Sequence, residues 1–136
     1  MNKVSLALVI HSHQPVGNFD HVIEEAYQRA YAPFVQILLQ HPRIRLSLHY
    51  SGILLEWLEK RHPEFFDQLG ELSGRGQVEL LGGGYYEPIL PSISDADKIS
   101  QVRKLADYLQ QHWGTPPRGA WVAERVWEPG LARPLA

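Results

Sequence analysis

The chain has 136 residues, one ordinary domain at most and well short of the roughly 250 that a complete closed (β/α) barrel needs, so a full barrel is excluded. Its 44% hydrophobic and 21% charged residues can bury a core, and a net charge of -2 with no basic block excludes a sequence-independent grip on nucleic-acid phosphates. The absence of Cys removes disulfides, thiolate catalysis and any Cys-ligated zinc site, and is compatible with a cytoplasmic location.

The first apolar run, Val4 to Ile10, is interrupted only by Ser5 and reads as a strand buried on both faces of a parallel sheet. It is too short to span a membrane and ends in His11-Ser12-His13-Gln14-Pro15, where a signal peptide needs small residues, so neither export nor a membrane partner is expected. From Val22 to Leu39 apolar residues recur at helical spacing, with Asp20 as a cap and Pro33 as a kink or restart. Ile44 to Ser51 alternates strictly, predicting a second strand with Leu46, Leu48 and Tyr50 on one face and Ser47 and His49 on the other.

A helix over 53–61 follows, and Pro63 starts another that carries Phe65, Phe66, Leu69 and Leu72 until Gly74 and Gly76 stop it. Gln77 to Leu81 is the third strand and runs into Gly82-Gly83-Gly84. Ser94 then caps a helix with Asp95 and Asp97 in its first turn and Leu105 and Leu109 on its buried face. After Pro116-Pro117, Gly119 to Ala123 is the fourth and shortest strand. The order is a parallel α/β architecture without an internal repeat, and each strand finishes in polar or glycine-rich residues, as in sheets that place chemistry at the carboxyl ends of their strands.

Three segments can carry chemistry. An extended chain points residues two apart to one side, so His11 and His13 can converge on one ligand, either as neutral imidazoles hydrogen-bonding sugar hydroxyls or as ligands of a divalent metal, with His49 a further candidate ligand; they can also be satisfied polar residues at a strand end. In the second segment Glu79 lies inside a strand, where a carboxylate needs a partner, and the three glycines either let the backbone approach a ligand or make a tight turn. Tyr85 and Tyr86 can offer faces to a sugar ring. No Gly-Lys-Ser/Thr and no Gly-x-Gly-x-x-Gly is present, so a nucleotide site is rejected. In the third, Glu124 follows a strand between Trp121 and Trp127 and beside Arg125; it can be a nucleophile or base, or half of an ion pair with Arg125. Glu128 reads as a loop carboxylate.

Together these motifs resemble the amino-terminal portion of glycoside hydrolase family 57, especially its 4-α-glucanotransferase and α-amylase-like members. The resemblance rests on His11 to Phe19, on His49-Tyr50-Ser51-Gly52 with Leu54-Leu55-Glu56-Trp57, on Gly76-Gln77-Val78-Glu79 through Tyr86-Glu87-Pro88, and on Trp121-Val122-Ala123-Glu124-Arg125-Val126-Trp127. It implies an irregular, roughly seven-stranded (β/α) barrel acting on α-1,4-glucans with retention of configuration, of which residues 1–136 hold the first four strands and helices. It implies that Glu124 is the catalytic nucleophile and that His11, His13, Glu79 and Trp121 surround the sugar subsite beside the cleaved bond. It also implies that the acid/base Asp comes from a later strand outside this chain, leaving the chain incomplete and inactive alone. No cofactor is expected, and an α-1,4-glucan or maltooligosaccharide is the expected partner. A metal-dependent hydrolase using His11 and His13, and a non-catalytic glucan-binding module, are the alternatives.

Overall fold

The computed structural model describes residues 4–135. Four parallel strands, β1 (Val9–Ser12), β2 (Leu46–Tyr50), β3 (Val78–Gly83) and β4 (Ala120–Trp121), lie in sequence order in one sheet. Each connection to the next strand is helical: α1 (Asp20–Ala26) and α2 (Ala32–Gln40), then α3 (Gly52–Arg61) and α4 (Pro63–Gly74), then α5 (Asp95–Trp113). A short α6 (Ala132–Leu135) follows β4. This is the open half of a (β/α) barrel, with its strand carboxyl ends gathered on one rim.

The core lies between the sheet and its helices. Leu46, Leu48 and Tyr50 of β2 and Val78 and Leu80 of β3 pack under Leu54, Leu55, Leu58, Phe65, Phe66, Leu69 and Leu72 of α3 and α4, all buried. The period-two pattern in β2 therefore sorts as expected, and so does the stripe that opens at Pro63 in the first turn of α4. Ser94 caps α5 by accepting the Asp97 backbone N–H, and Gly114 ends it in the left-handed region at φ 68°.

Three local expectations change. Val4 to Ile10 is not a strand buried on both faces: β1 begins at Val9, and Val4 and Leu6 are 94% and 88% exposed. Val4 and Leu6 lie ahead of the strand with almost nothing packed on them, and β1 itself pairs with β2 alone among the described residues. Asp20 does not cap α1. Phe19 occupies that position, and the Asp20 carboxylate instead accepts from Trp57 Nε1 at 3.1 Å and Arg61 at 2.6 Å, tying α1 to α3. Pro33 is a restart: a π-helical turn over Tyr27–Tyr31 precedes α2, and the Ala32 N–H reaches back five residues to Tyr27, absorbing the bond that Pro33 cannot make.

Gln77, just before β3, is buried. Its amide donates to the Leu38 carbonyl at 2.7 Å and the His41 carbonyl at 3.2 Å, so it satisfies the carboxyl end of α2 from the start of β3.

Candidate active site

The parallel register places the site. His11 of β1 lies level with His49 of β2, and His49 with Leu81 of β3, so both imidazoles sit on the side of the sheet away from the helices. Two residues beyond His11 the chain brings His13 to the same rim. Trp121 of β4 closes the row, its ring stacked on His11 with centroids 4.3 Å apart and planes 9° from parallel.

Beneath the row the backbones approach closely. Gly83 has φ 152°, and a Cβ there would lie 2.8 Å from the Trp121 carbonyl oxygen and 3.1 Å from His49 Nε2. Glycine is required here by both dihedral and space. The result is a fully buried His49 whose Nε2 has no hydrogen-bond partner, while its Nδ1 lies 2.9 Å from Nδ1 of His11.

The loop after β3 contributes the central carboxylate. Glu87 takes a left-handed backbone with φ 51° in a turn closed by its N–H to the Gly84 carbonyl, and its side chain is 5% exposed. Its Oε2 is against His13 Nδ1, and its Oε1 lies 3.5 Å from His11 Nε2 and 3.9 Å from His49 Nδ1. Burial lowers the His11 imidazole, assisted by His13 and opposed by Glu124. Burial with the neighbouring His11 and His13 pushes His49 down to about 3, so the rings of His11 and His49 are neutral at neutral pH. The Glu87 carboxyl is raised by its burial against the pull of His13, and Glu124 raises it further.

Glu124 follows β4 in a short turn over Ala123–Arg125. Glu124 and Arg125 both adopt left-handed backbone, φ 53° and 58°, which non-glycine residues seldom do consecutively. Strain of this kind costs roughly 1–3 kcal/mol per residue and persists where the surroundings hold it; here the Arg125 and Val126 N–H groups donate to Val122 and Ala123. The turn leaves the Glu124 carboxylate exposed at the pocket. Among the described residues it forms no ion pair with Arg125; Glu128 instead lies 3.6 Å from the buried Lys98 of α5.

A cavity of about 310 Å³ is lined by His11, His13, Glu87, Trp121, Ala123, Glu124 and Arg125. Four of the five residues singled out from the sequence, His11, His13, Trp121 and Glu124, thus meet in one pocket. Glu79 does not. It lies lower in β3, level with Ser47 rather than His49, is exposed, and accepts a hydrogen bond from Ser47 Oγ at 3.2 Å. Nor do the other aromatics wall the pocket. Tyr85 is buried against Gly52 with its hydroxyl donating to Glu56, Tyr86 lies under Lys104, and Trp127 lines a separate groove. The residue that sequence reasoning passed over is Glu87; its signal was a carboxylate between Tyr86 and Pro88 just after a glycine run at a strand end.

The family model of Glycosyl hydrolase family 57 matches residues 7–136. The chain belongs to that family. Alpha-amylase 1 of Dictyoglomus thermophilum is 50% identical over 134 residues, covering 98% of this chain and 20% of that protein. The 4-alpha-glucanotransferase of Thermococcus litoralis is 43% identical over 135 residues, 99% of this chain and 20% of that protein. The crystal structure of the Thermococcus litoralis 4-alpha-glucanotransferase superposes with a TM-score of 0.96, covering 99% of this chain and 21% of that one. The family 57 chain therefore spans about a fifth of the length of the curated relatives it matches.

Proposed function

We propose that this chain is the amino-terminal part of the catalytic barrel of a retaining cytoplasmic enzyme acting on α-1,4-glucans, of the 4-α-glucanotransferase or α-amylase type. In this reading the pocket holds the glucose unit beside the cleaved bond, Trp121 and the histidines receive its ring and hydroxyls, and Glu124 attacks the anomeric carbon to form a glycosyl-enzyme. Glu79 sits one level below the pocket, outside its lining. The observation that carries the proposal is Glu124: a carboxylate in strained left-handed backbone, exposed at the pocket rim and free of an ion pair with Arg125.

Retention needs a second carboxyl group roughly 5 Å from the first to protonate the leaving oxygen. Glu87 is the other carboxylate of the pocket, but it is 5% exposed and engaged by His11 and His13, so it is not free to exchange protons with a glycosidic oxygen. The acid/base therefore comes from outside these residues, and the chain alone is inactive.

The test is a chimera in which this chain replaces the matched segment of the Thermococcus litoralis enzyme. Disproportionation of maltooligosaccharides by the chimera should fall by several orders of magnitude on Glu124→Gln. An unchanged rate would remove Glu124 from the chemistry.

A second reading, a metal-dependent hydrolase, has one observation behind it: one donor atom each from His11, His49 and Glu87 lie within 4.8 Å of one another. The two Nδ1 atoms already partner each other at 2.9 Å and the Glu87 carboxylate lies against His13, so contacts within the protein account for the cluster. Stoichiometric zinc or manganese in the purified protein would reverse that preference.

A further inference from the structure

Glu87 carries no part of the chemistry proposed above, yet it is the most buried carboxylate of the pocket and touches all three of its histidines. A neutral imidazole has one N–H and one bare nitrogen, and which is which follows from the partner each nitrogen meets. An ionised carboxylate only accepts, so an imidazole nitrogen that faces it carries the proton. His13 faces Glu87 Oε2 with Nδ1, and His11 faces Glu87 Oε1 with Nε2 at 3.5 Å. His11 Nδ1 is then bare, and its 2.9 Å contact with His49 Nδ1 requires His49 to donate. That leaves His49 Nε2 bare, and this is the buried nitrogen that has no partner. Each imidazole N–H in this arrangement faces an acceptor, the His11 Nε2–H at 3.5 Å from the Glu87 carboxylate, longer than an ordinary hydrogen bond, and Glu87 Oε2 has no partner other than the His13 ring it lies against.

We propose that Glu87 is a positioning residue that fixes His13 and His49 as Nδ1–H and His11 as Nε2–H, so that the half-exposed His13 turns a bare Nε2 into the pocket as the acceptor for a sugar hydroxyl. The left-handed backbone of Glu87, with φ 51°, delivers its carboxylate to that place, and Pro88, packed against Gly84, holds the turn. His11 turns Nδ1 to His49 and Nε2 toward Glu87, and stacks its ring on Trp121. Recognition of a hydroxyl donor at His13 is thus a property of Glu87 as much as of His13.

The hydroxyl-accepting role rests on the sugar-binding reading; the tautomer assignment does not, and the experiment separates them. Long-range proton–nitrogen spectra of the 15N-labelled 136-residue chain near neutral pH, without ligand, report which nitrogen of each imidazole is protonated. The expected pattern is protonated Nδ1 on His13 and His49 and protonated Nε2 on His11. In Glu87→Ala the His13 pattern should revert to the Nε2–H form favoured by free imidazole, whereas Glu87→Gln, which keeps an acceptor oxygen, should retain Nδ1–H. A His13 protonated at Nε2 in the parent chain, as follows if Glu87 is itself the donor, overturns the proposal without recourse to any variant; so does a Glu87→Ala spectrum unchanged at His13. Titration with maltotriose then reads the other half: a shift confined to the bare Nε2 of His13 is expected, and the assigned tautomers with no sugar-induced shift would overturn the hydroxyl-accepting role and the sugar-binding reading while leaving the tautomers standing.

Discussion

Burial, with His11 and His13 beside it, pushes the His49 imidazole down to about 3 from an ordinary 6.5. A folded-state value below the unfolded one gives stability that is complete above about pH 6.5 and is lost as pH falls toward 3, by at most about 1.4 kcal/mol per pH unit. Glu87, raised by burial, contributes in the opposite sense: its share is present at acid pH and lost as pH rises through its folded value. Urea midpoints should therefore fall between pH 7 and pH 5, and fall less steeply in His49→Gln; equal slopes would mean that His49 is protonated in the folded chain. Gly83 is the neighbouring test. With 2.8 Å to the Trp121 oxygen, a Cβ has no room, so Gly83→Ala should cost more than about 1 kcal/mol in urea unfolding; an unaltered midpoint would show that the pocket floor is looser than described. Most of the pocket was legible residue by residue, because His11, His13, Trp121 and Glu124 stand at or just beyond strand ends. Glu87 was not, because its position after the glycine run does not by itself specify the left-handed backbone that carries its side chain into the pocket.

Elements were read more easily than their edges. Period-two alternation in β2 and the Pro63 and Ser94 starts are local signals, and the structure keeps all of them. β1 is shorter and more exposed than its apolar run suggests, because a continuous run does not tell what packs on it or pairs with it at long range. Gln77 shows the same limit. A glutamine at a strand start looks like surface, but the end of α2 packs over it and its amide donates to two carbonyls there. Gln77→Ala should leave those carbonyls without their donor and lower stability by about 1–3 kcal/mol, measured as a shift in urea midpoint. A change within experimental error would place water, not Gln77, at the end of α2.

At the level of the whole molecule, the four strands form an open sheet whose β1 edge is flanked by exposed Val4, Leu6, Leu8 and Val9. An unpaired apolar edge of this kind pairs with another chain when nothing covers it. Sedimentation should accordingly show concentration-dependent association, weakened by Leu6→Lys; a sharp monomer with cooperative unfolding would show that the edge is protected. The chain spans about a fifth of the length of its curated relatives, and of the two carboxylates lining the pocket Glu87 lies against the histidines while Glu124 stands clear of them. The most direct test of the catalytic claim is to find where the sugar becomes attached. The chimera with the Thermococcus litoralis enzyme, incubated with a fluorinated glucosyl fluoride that forms but slowly releases a glycosyl-enzyme, should yield a single labelled peptide with the sugar on Glu124 by mass spectrometry. A label on any other carboxylate, Glu87 included, or turnover without a covalent intermediate, would contradict the account.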